Sequence, residues 1–127
     1  MFKLISLFSV MILLFGNFSC SAQEDKESMT VSELKDAMKK DTSLVILDVR
    51  TPQELAGPLG KIDEVVNIPV QELESRISEL DKYKNKNIAV ICRTGHRSGI
   101  ARKILTEHGI KSRNVKGGMT AWRELEK

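Results

Sequence analysis

The stretch Ile88 to Ile100, IAVICRTGHRSGI, decides how the whole chain is read. Its first four residues are aliphatic without a polar break, the pattern of a short strand covered on both faces. The run stops at Cys92. Arg93, Thr94, Gly95, His96 and Arg97 then lead into Ser98 to His108, where Ile100, Ala101, Ile104 and Leu105 fall on one helical face and Gly109 is placed to end it. A strand that feeds a helix through a short polar loop is the repeating unit of a parallel sheet.

The same alternation extends in both directions. Upstream, Thr30 with Glu33 forms a capping-box pattern that opens a helix through Val31, Leu34 and Met38 to about Lys40. Leu44 to Leu47 reads as a covered strand ending before Asp48. Pro52 to Ala56 reads as a helical turn, and Gly57, Pro58 and Gly60 enforce a loop. Val65 to Ile68 is a further short strand, and Gln71 to Leu80 carries Leu73, Ile77 and Leu80 at helical spacing before the strand Asn87 to Ile91. Downstream, Ser112 to Val115 forms the last strand. Gly117 and Gly118 turn the chain into a helix, Met119 to Glu126, with Trp122 and Leu125 on one side. The expected class is α/β: a mainly parallel sheet of about five short strands, flanked by helices on both faces. Sites in such sheets form where strand C-termini meet helix N-termini.

The chain has 127 residues, enough for one domain. Twenty Lys and Arg against 17 Asp and Glu leave a balance of +3, too small for affinity built on neutralising phosphates, so nucleic acid is excluded as a partner. His96, His108 and Cys92 do not form a ligand set at recognisable spacing, so no metal is expected. Gly117 and Gly118 lack the wider pattern of a nucleotide fingerprint, and no cofactor is expected.

Residues 1–22 read as an export signal. Lys3 gives a positive start, and Leu4 to Phe15 is apolar apart from Ser6 and Ser9, too short a run to span a bilayer comfortably. Two cleavage routes stay open. Cleavage before Cys20 resembles bacterial lipoprotein maturation, with lipid on the Cys20 sulfur, although Asn17 stands where an aliphatic residue is usual. Cleavage after Ala22 uses Cys20 and Ala22 as the small residues of the site. Residues 23–28 then form a polar tether and 29–127 the domain, placed in the periplasm or cell envelope and lipid-anchored to a bacterial membrane. On either route Cys92 is the one thiol left in the mature domain.

That thiol sits where charge favours its anion. Loop N–H groups, the N-terminus of the following helix and the guanidinium groups of Arg93 and Arg97 all stabilise a thiolate. Gly95 permits the loop geometry, and Ser98 is expected to cap the helix. A buried structural cysteine is the competing reading, and two arginines and a glycine so close to the sulfur count against it.

Cys92-Arg93-Thr94-Gly95-His96-Arg97-Ser98 resembles the active-site loop of single-domain rhodaneses, sulfurtransferases that carry sulfur as a cysteine persulfide. Three further segments resemble that family in its order: Leu47 to Leu55 (LDVRTPQEL), Val66-Asn67-Ile68-Pro69, and Val115 through Gly117-Gly118 to Trp122. The likeness spans about Met29 to Lys127. One departure is visible: where the family usually has Gly-His-Ile, this chain has Gly57-Pro58-Leu59, which bears on the rim of the pocket and on substrate choice.

The resemblance implies that Cys92 takes sulfur from a small anionic donor, of the thiosulfate or polysulfide class, and passes it to a thiol or protein acceptor. The implied cradle is Arg93, Thr94, Gly95, His96, Arg97 and Ser98. Arg97 has two open roles, holding the donor or pairing with a carboxylate. His96 is expected to face solvent, Asp48, Arg50 and Glu54 to form a charge cluster that stabilises the fold, and Trp122 to lie in the core. A monomer is expected. The alternatives are a carrier that is loaded without turning over, or a module that binds an anion or a protein. Cysteine phosphatase or arsenate reductase chemistry is disfavoured because only four residues separate Cys92 from Arg97, one fewer than a phosphate-enclosing loop uses.

Overall fold

The computed structural model describes residues 26–127. The expected export signal, its cleavage sites and Cys20 lie outside the described residues. The elements in chain order are β1 (Ser28–Met29), α1 (Val31–Lys40), β2 (Val45–Asp48), α2 (Pro52–Leu55), β3 (Val66–Asn67), α3 (Val70–Leu73), a 3₁₀ segment (Glu74–Tyr83), β4 (Ile88–Ile91), α4 (His96–Glu107), β5 (Arg113–Val115) and α5 (Gly118–Leu125). The strands form one sheet in the order β1-β5-β4-β2-β3, and every pairing is parallel. This is the α/β sheet that the alternation predicts.

Both faces of the sheet are covered. Leu47, Val49, Val90 and Cys92 point to one side, where Leu73, Leu80, Ala101 and Leu105 from α3, the 3₁₀ segment and α4 close over them. Ile46, Ala89 and Ile91 point to the other, against Leu34 of α1 and Met119 and Trp122 of α5. The central strands β2 and β4 are buried along their whole length, which is why they read as unbroken aliphatic runs. Trp122 is buried in this second cluster, as expected of a core residue.

Most element ends fall within a residue of expectation, and three differences go beyond such a shift. The polar tether gives way to the sheet before its expected end: Ser28 pairs with Asn114 in β1, and Asn114 N–H donates to Glu27 O at 2.9 Å. A strand of two residues is too short to show a period, so nothing in the local pattern announced it. The helix expected over 71–80 is one α-turn followed by ten residues of 3₁₀ helix. Third, α4 opens at His96, so Ser98 lies inside the helix and does not cap it. The cap position belongs to Gly95, at φ 106°. Glycine occupies that left-handed conformation at no steric cost, so the turn into the helix is completed two residues before Ser98.

Candidate active site

Cys92 follows the last residue of β4, at the C-terminal edge of the sheet, and is 1% exposed. The loop folds back over it, so that the Gly95 N–H donates to Sγ at 3.1 Å and Ser98 Oγ lies 3.2 Å from the same sulfur. Burial pushes the Cys92 thiol up. Hydrogen bonds from the Ser98 side chain and from the backbone of Ser98, Gly95 and Thr94 outweigh it and hold the thiol below its ordinary value. The N-terminus of the twelve-residue helix α4 opens at the same place and adds its partial positive charge.

The loop is held from beneath by α5. Met119 N–H donates to Cys92 O at 2.9 Å, and Thr120 N–H donates to Arg93 O at 3.0 Å. These contacts need a backbone approach that only glycine allows: a Cβ on Gly118, at φ 53°, would collide with the Cys92 carbonyl oxygen and lie 2.6 Å from Arg93 O. The Gly117-Gly118 pair therefore lets one helix terminus satisfy the carbonyls of the cysteine loop.

Arg97 forms a fork on Glu54, with Nη1 to Oε1 at 2.6 Å and Nη2 to Oε2 at 2.8 Å. The Arg97 guanidinium holds the Glu54 carboxyl down at about 2, and Glu54 raises Arg97 in turn. Of the two roles left open for Arg97, the structure shows the carboxylate partner. Glu54 is placed for this by a second capping box, with Thr51 at its head and Pro52 in the first turn.

Asp48 and Arg50 are fully buried and paired, Nη2 to Oδ2 at 2.7 Å and Nε to Oδ1 at 3.0 Å. Arg50 also donates to Gly60 O at 2.8 Å, and Arg123 Nε donates to Leu59 O at 2.7 Å. Two guanidinium groups thus fix the loop after α2. Asp48 and Arg50 are structural, as expected, whereas Glu54 joins Arg97 and gives Arg50 only its backbone carbonyl, at 3.4 Å. Arg93, Thr94 and His96 are exposed.

Asn114 was not singled out in the sequence, yet it organises the site. Ser98 Oγ donates to Asn114 Oδ1 at 2.6 Å, and Asn114 Nδ2 donates to Gly95 O at 3.1 Å. The signal was a polar side chain in the middle of a strand, where an aliphatic residue would be ordinary. A cavity of about 580 Å³ adjoins the loop, and Arg93 and Thr120 line it together with Gln53, Glu54, Pro58 and Leu59.

A parallel α/β sheet with a cysteine at the end of its central strand, cradled by N–H groups and a helix terminus, is built to hold an anionic sulfur. The chain belongs to the rhodanese-like domain family, whose pattern matches residues 30–125. It is 39% identical over 99 residues to the Bacillus subtilis "Putative sulfurtransferase YtwF", covering 78% of this chain and 91% of that protein. It is 34% identical over 108 residues to the "Putative sulfur carrier protein YrkF" of the same organism, covering 84% of this chain and 56% of that protein. A rhodanese-related protein from Thermoplasma volcanium superposes with a TM-score of 0.69 at 34% identity, covering 78% of this chain and 92% of that one.

Proposed function

We propose that the protein is a sulfurtransferase that moves sulfane sulfur through a persulfide on Cys92. The observation that carries the reading is the position of the Cys92 sulfur, 3.1 Å from the Gly95 N–H and 3.2 Å from the Ser98 hydroxyl at the head of α4. The two similar Bacillus proteins, whose names speak of sulfur transfer and sulfur carriage, support it.

With thiosulfate as donor, the Cys92 thiolate attacks the outer sulfur. A new S–S bond forms to Cys92, the old S–S bond breaks, and sulfite leaves with the electron pair. The terminal persulfide sulfur is anionic, and the loop N–H groups and the α4 terminus stabilise it as they stabilise the thiolate. A nucleophilic acceptor then attacks that terminal sulfur and restores the Cys92 thiolate. Arg97, committed to Glu54, shapes the loop, which leaves Arg93 as the loop cation open to an anionic donor. The apolar start of the chain and Cys20 lead us to place the domain outside the cytoplasm on a lipid tether. An intact-mass measurement on protein recovered from a membrane fraction tests this, since unmodified Cys20 on the mature chain would refute it.

The function is tested by incubating the protein and a Cys92→Ser variant with thiosulfate, then adding cyanide. Gain of one sulfur atom in intact mass, discharged as thiocyanate and absent from the variant, is the expected result. Loading without repeated turnover on small acceptors identifies a carrier that serves a protein acceptor. No loading by thiosulfate or polysulfide overturns the sulfurtransferase reading.

A further inference from the structure

Every strand of the sheet runs the same way, so its two edges gather different parts of the chain. Cys92 follows β4 at the C-terminal edge. The opposite edge gathers the segments that lead into β1, β2, β4 and β5. The four residues of β4, about 13 Å of strand, stand between that edge and Cys92.

Those segments and the end of α1 enclose a second cavity, of about 600 Å³. Six cations line it, Lys26, Lys40, Lys84, Lys86, Lys111 and Arg113, against one carboxylate, Asp41. Asp41 is already engaged, since its oxygens accept from the Ser43 N–H and hydroxyl and from Asn87 Nδ2. Lys84 is paired with Asp81 and Arg113 with Glu33, whereas Lys26, Lys40, Lys86 and Lys111 enter no ion pair among the described residues. The C-terminus of α1 brings a partial negative charge here, but about half a charge does not account for six cations. The N-terminal edge is therefore strongly positive, although the balance of the whole chain is only +3.

The make-up of this edge selects among anionic partners. Five of the six cations are lysines, and lysine is depleted at protein interfaces, where arginine and aromatic side chains are favoured. The exposed large apolar residues, Ile100 and Leu125, do not line the cavity. Long, hydrated lysines without an apolar anchor suit a fluid anionic surface, which attracts them without demanding a fixed geometry. Covalent reach points the same way. Cys20 precedes Lys26 by six residues, at most about 22 Å of chain. A lipid on Cys20 would hold this edge so close to a bilayer that weak attraction per lysine suffices to settle it there.

Resting on the lipid tether at Cys20, we propose that the N-terminal edge of the sheet is the membrane face of the domain, where these lysines settle on anionic phospholipid headgroups. The Cys92 loop then faces away from the bilayer, toward donors and acceptors in the aqueous phase.

The test inserts the protein recovered from a membrane fraction into preformed vesicles, of phosphatidylcholine alone or of phosphatidylcholine and phosphatidylglycerol in equal parts. A short pulse of the uncharged reagent N-acetoxysuccinimide acetylates exposed lysines, and peptide masses give the rate at each. Lys40, Lys84, Lys86 and Lys111 should react about fivefold more slowly on the anionic vesicles, the factor that corresponds to the ~1 kcal/mol of a lysine near such a surface. Lys116, which follows β5 at the Cys92 edge, should not change. The difference should vanish at an ionic strength near 1 M, where the screening length falls to ~3 Å. Lys40→Gln, Lys86→Gln and Lys111→Gln together, all at exposed positions, should abolish the protection of Lys84 and leave sulfur loading of Cys92 in detergent within about twofold. Equal rates on the two kinds of vesicle overturn the proposal and leave the tether and persulfide readings standing. Protection by inorganic phosphate or by polyglutamate, but not by the vesicles, assigns the face to a small anion or an acidic protein and overturns it as well. Unmodified Cys20 with protection retained on anionic vesicles overturns the tether alone, and unmodified Cys20 without protection overturns both.

Discussion

Ser98 donates its hydroxyl proton to Asn114 Oδ1 across 2.6 Å, while the same oxygen lies 3.2 Å from Cys92 Sγ. A hydroxyl has one proton, and the Asn114 amide is oriented by its own donation to Gly95 O, so Oδ1 can only accept. With Ser98 turned to Asn114, the hydroxyl oxygen can accept from a Cys92 S–H. With Cys92 ionised, the proton is drawn to the sulfur and Oδ1 loses its donor. Asn114 therefore competes with the Cys92 sulfur for one proton, and it restrains ionisation that the loop otherwise favours.

From this follows a prediction for Asn114→Ala. Ser98 is released to donate to the sulfur, so the pH profile of Cys92 alkylation by iodoacetamide should move to lower pH. Below the wild-type midpoint, alkylation should be roughly tenfold faster, the scale of one hydrogen bond to a charged group. Asn114→Asp should move the profile the other way, since a carboxylate holds the hydroxyl proton more tightly and adds negative charge near the thiolate. In a Ser98→Ala background the effect of Asn114→Ala should vanish, a coupling that a general loss of packing would not produce. An equal shift in both backgrounds would show that Asn114 does not act through Ser98.

The position of Cys92 was legible because the signal is local: an unbroken aliphatic run ends at the cysteine, and a glycine and two arginines follow within five residues. The role of Ser98 was not, because it depends on Gly95 taking φ 106° and starting α4 two residues early. Asn114 lies sixteen residues beyond Ser98, and only the parallel pairing of β5 beside β4 brings them together. The same pairing creates β1 from Ser28 and Met29, a strand defined by its neighbour and not by its own pattern. Local periodicity and turn chemistry thus revealed most of the elements. The contacts that tune the site depend on register between strands far apart in the chain.

The Glu54–Arg97 pair gives a pH-dependent contribution to stability. Glu54 is held at about 2 against an ordinary 4.5, first by the Arg97 guanidinium. A carboxylate with a depressed folded-state pKa contributes stability that is complete above its unfolded value and is lost as pH falls through the folded one. Urea unfolding of wild type and Glu54→Gln should therefore differ at pH 7 and converge between about pH 4.5 and 2. The side chains are 33% and 26% exposed, so solvent screening limits the difference at neutral pH to about 1 kcal/mol. A difference that persists unchanged to pH 2 would assign it to packing and not to charge.

Asp48 and Arg50 present the opposite case, since both are fully buried. Arg50→Met removes the partner of a buried carboxylate and the donor to Gly60 O, and should cost about 3–5 kcal/mol in urea unfolding. Replacing both, with Asp48→Leu and Arg50→Met, should recover part of that loss, because no buried charge is then left alone. The double variant should still load sulfur more slowly than wild type, as the 57–60 turn has lost one of its two anchors.

Gly118 and Gly109 separate conformational strain from close approach. Both have positive φ, 53° and 73°, yet a Cβ at Gly109 meets nothing within 4 Å, whereas one at Gly118 strikes the carbonyl groups of Cys92 and Arg93. Gly109→Ala should therefore cost about 1 kcal/mol, the penalty of the left-handed backbone alone, and leave Cys92 alkylation unchanged. Gly118→Ala carries the same penalty and must also push α5 away from the loop. Its amides then lose the Cys92 and Arg93 carbonyls, the loop is no longer held beneath the sulfur, and the Gly95 N–H moves from Sγ. The expected result is a larger loss of stability together with an alkylation profile displaced toward higher pH, the direction in which a thiolate that has lost donors must move. Gly118→Ala with wild-type reactivity would show that the cradle is rigid without its support from α5.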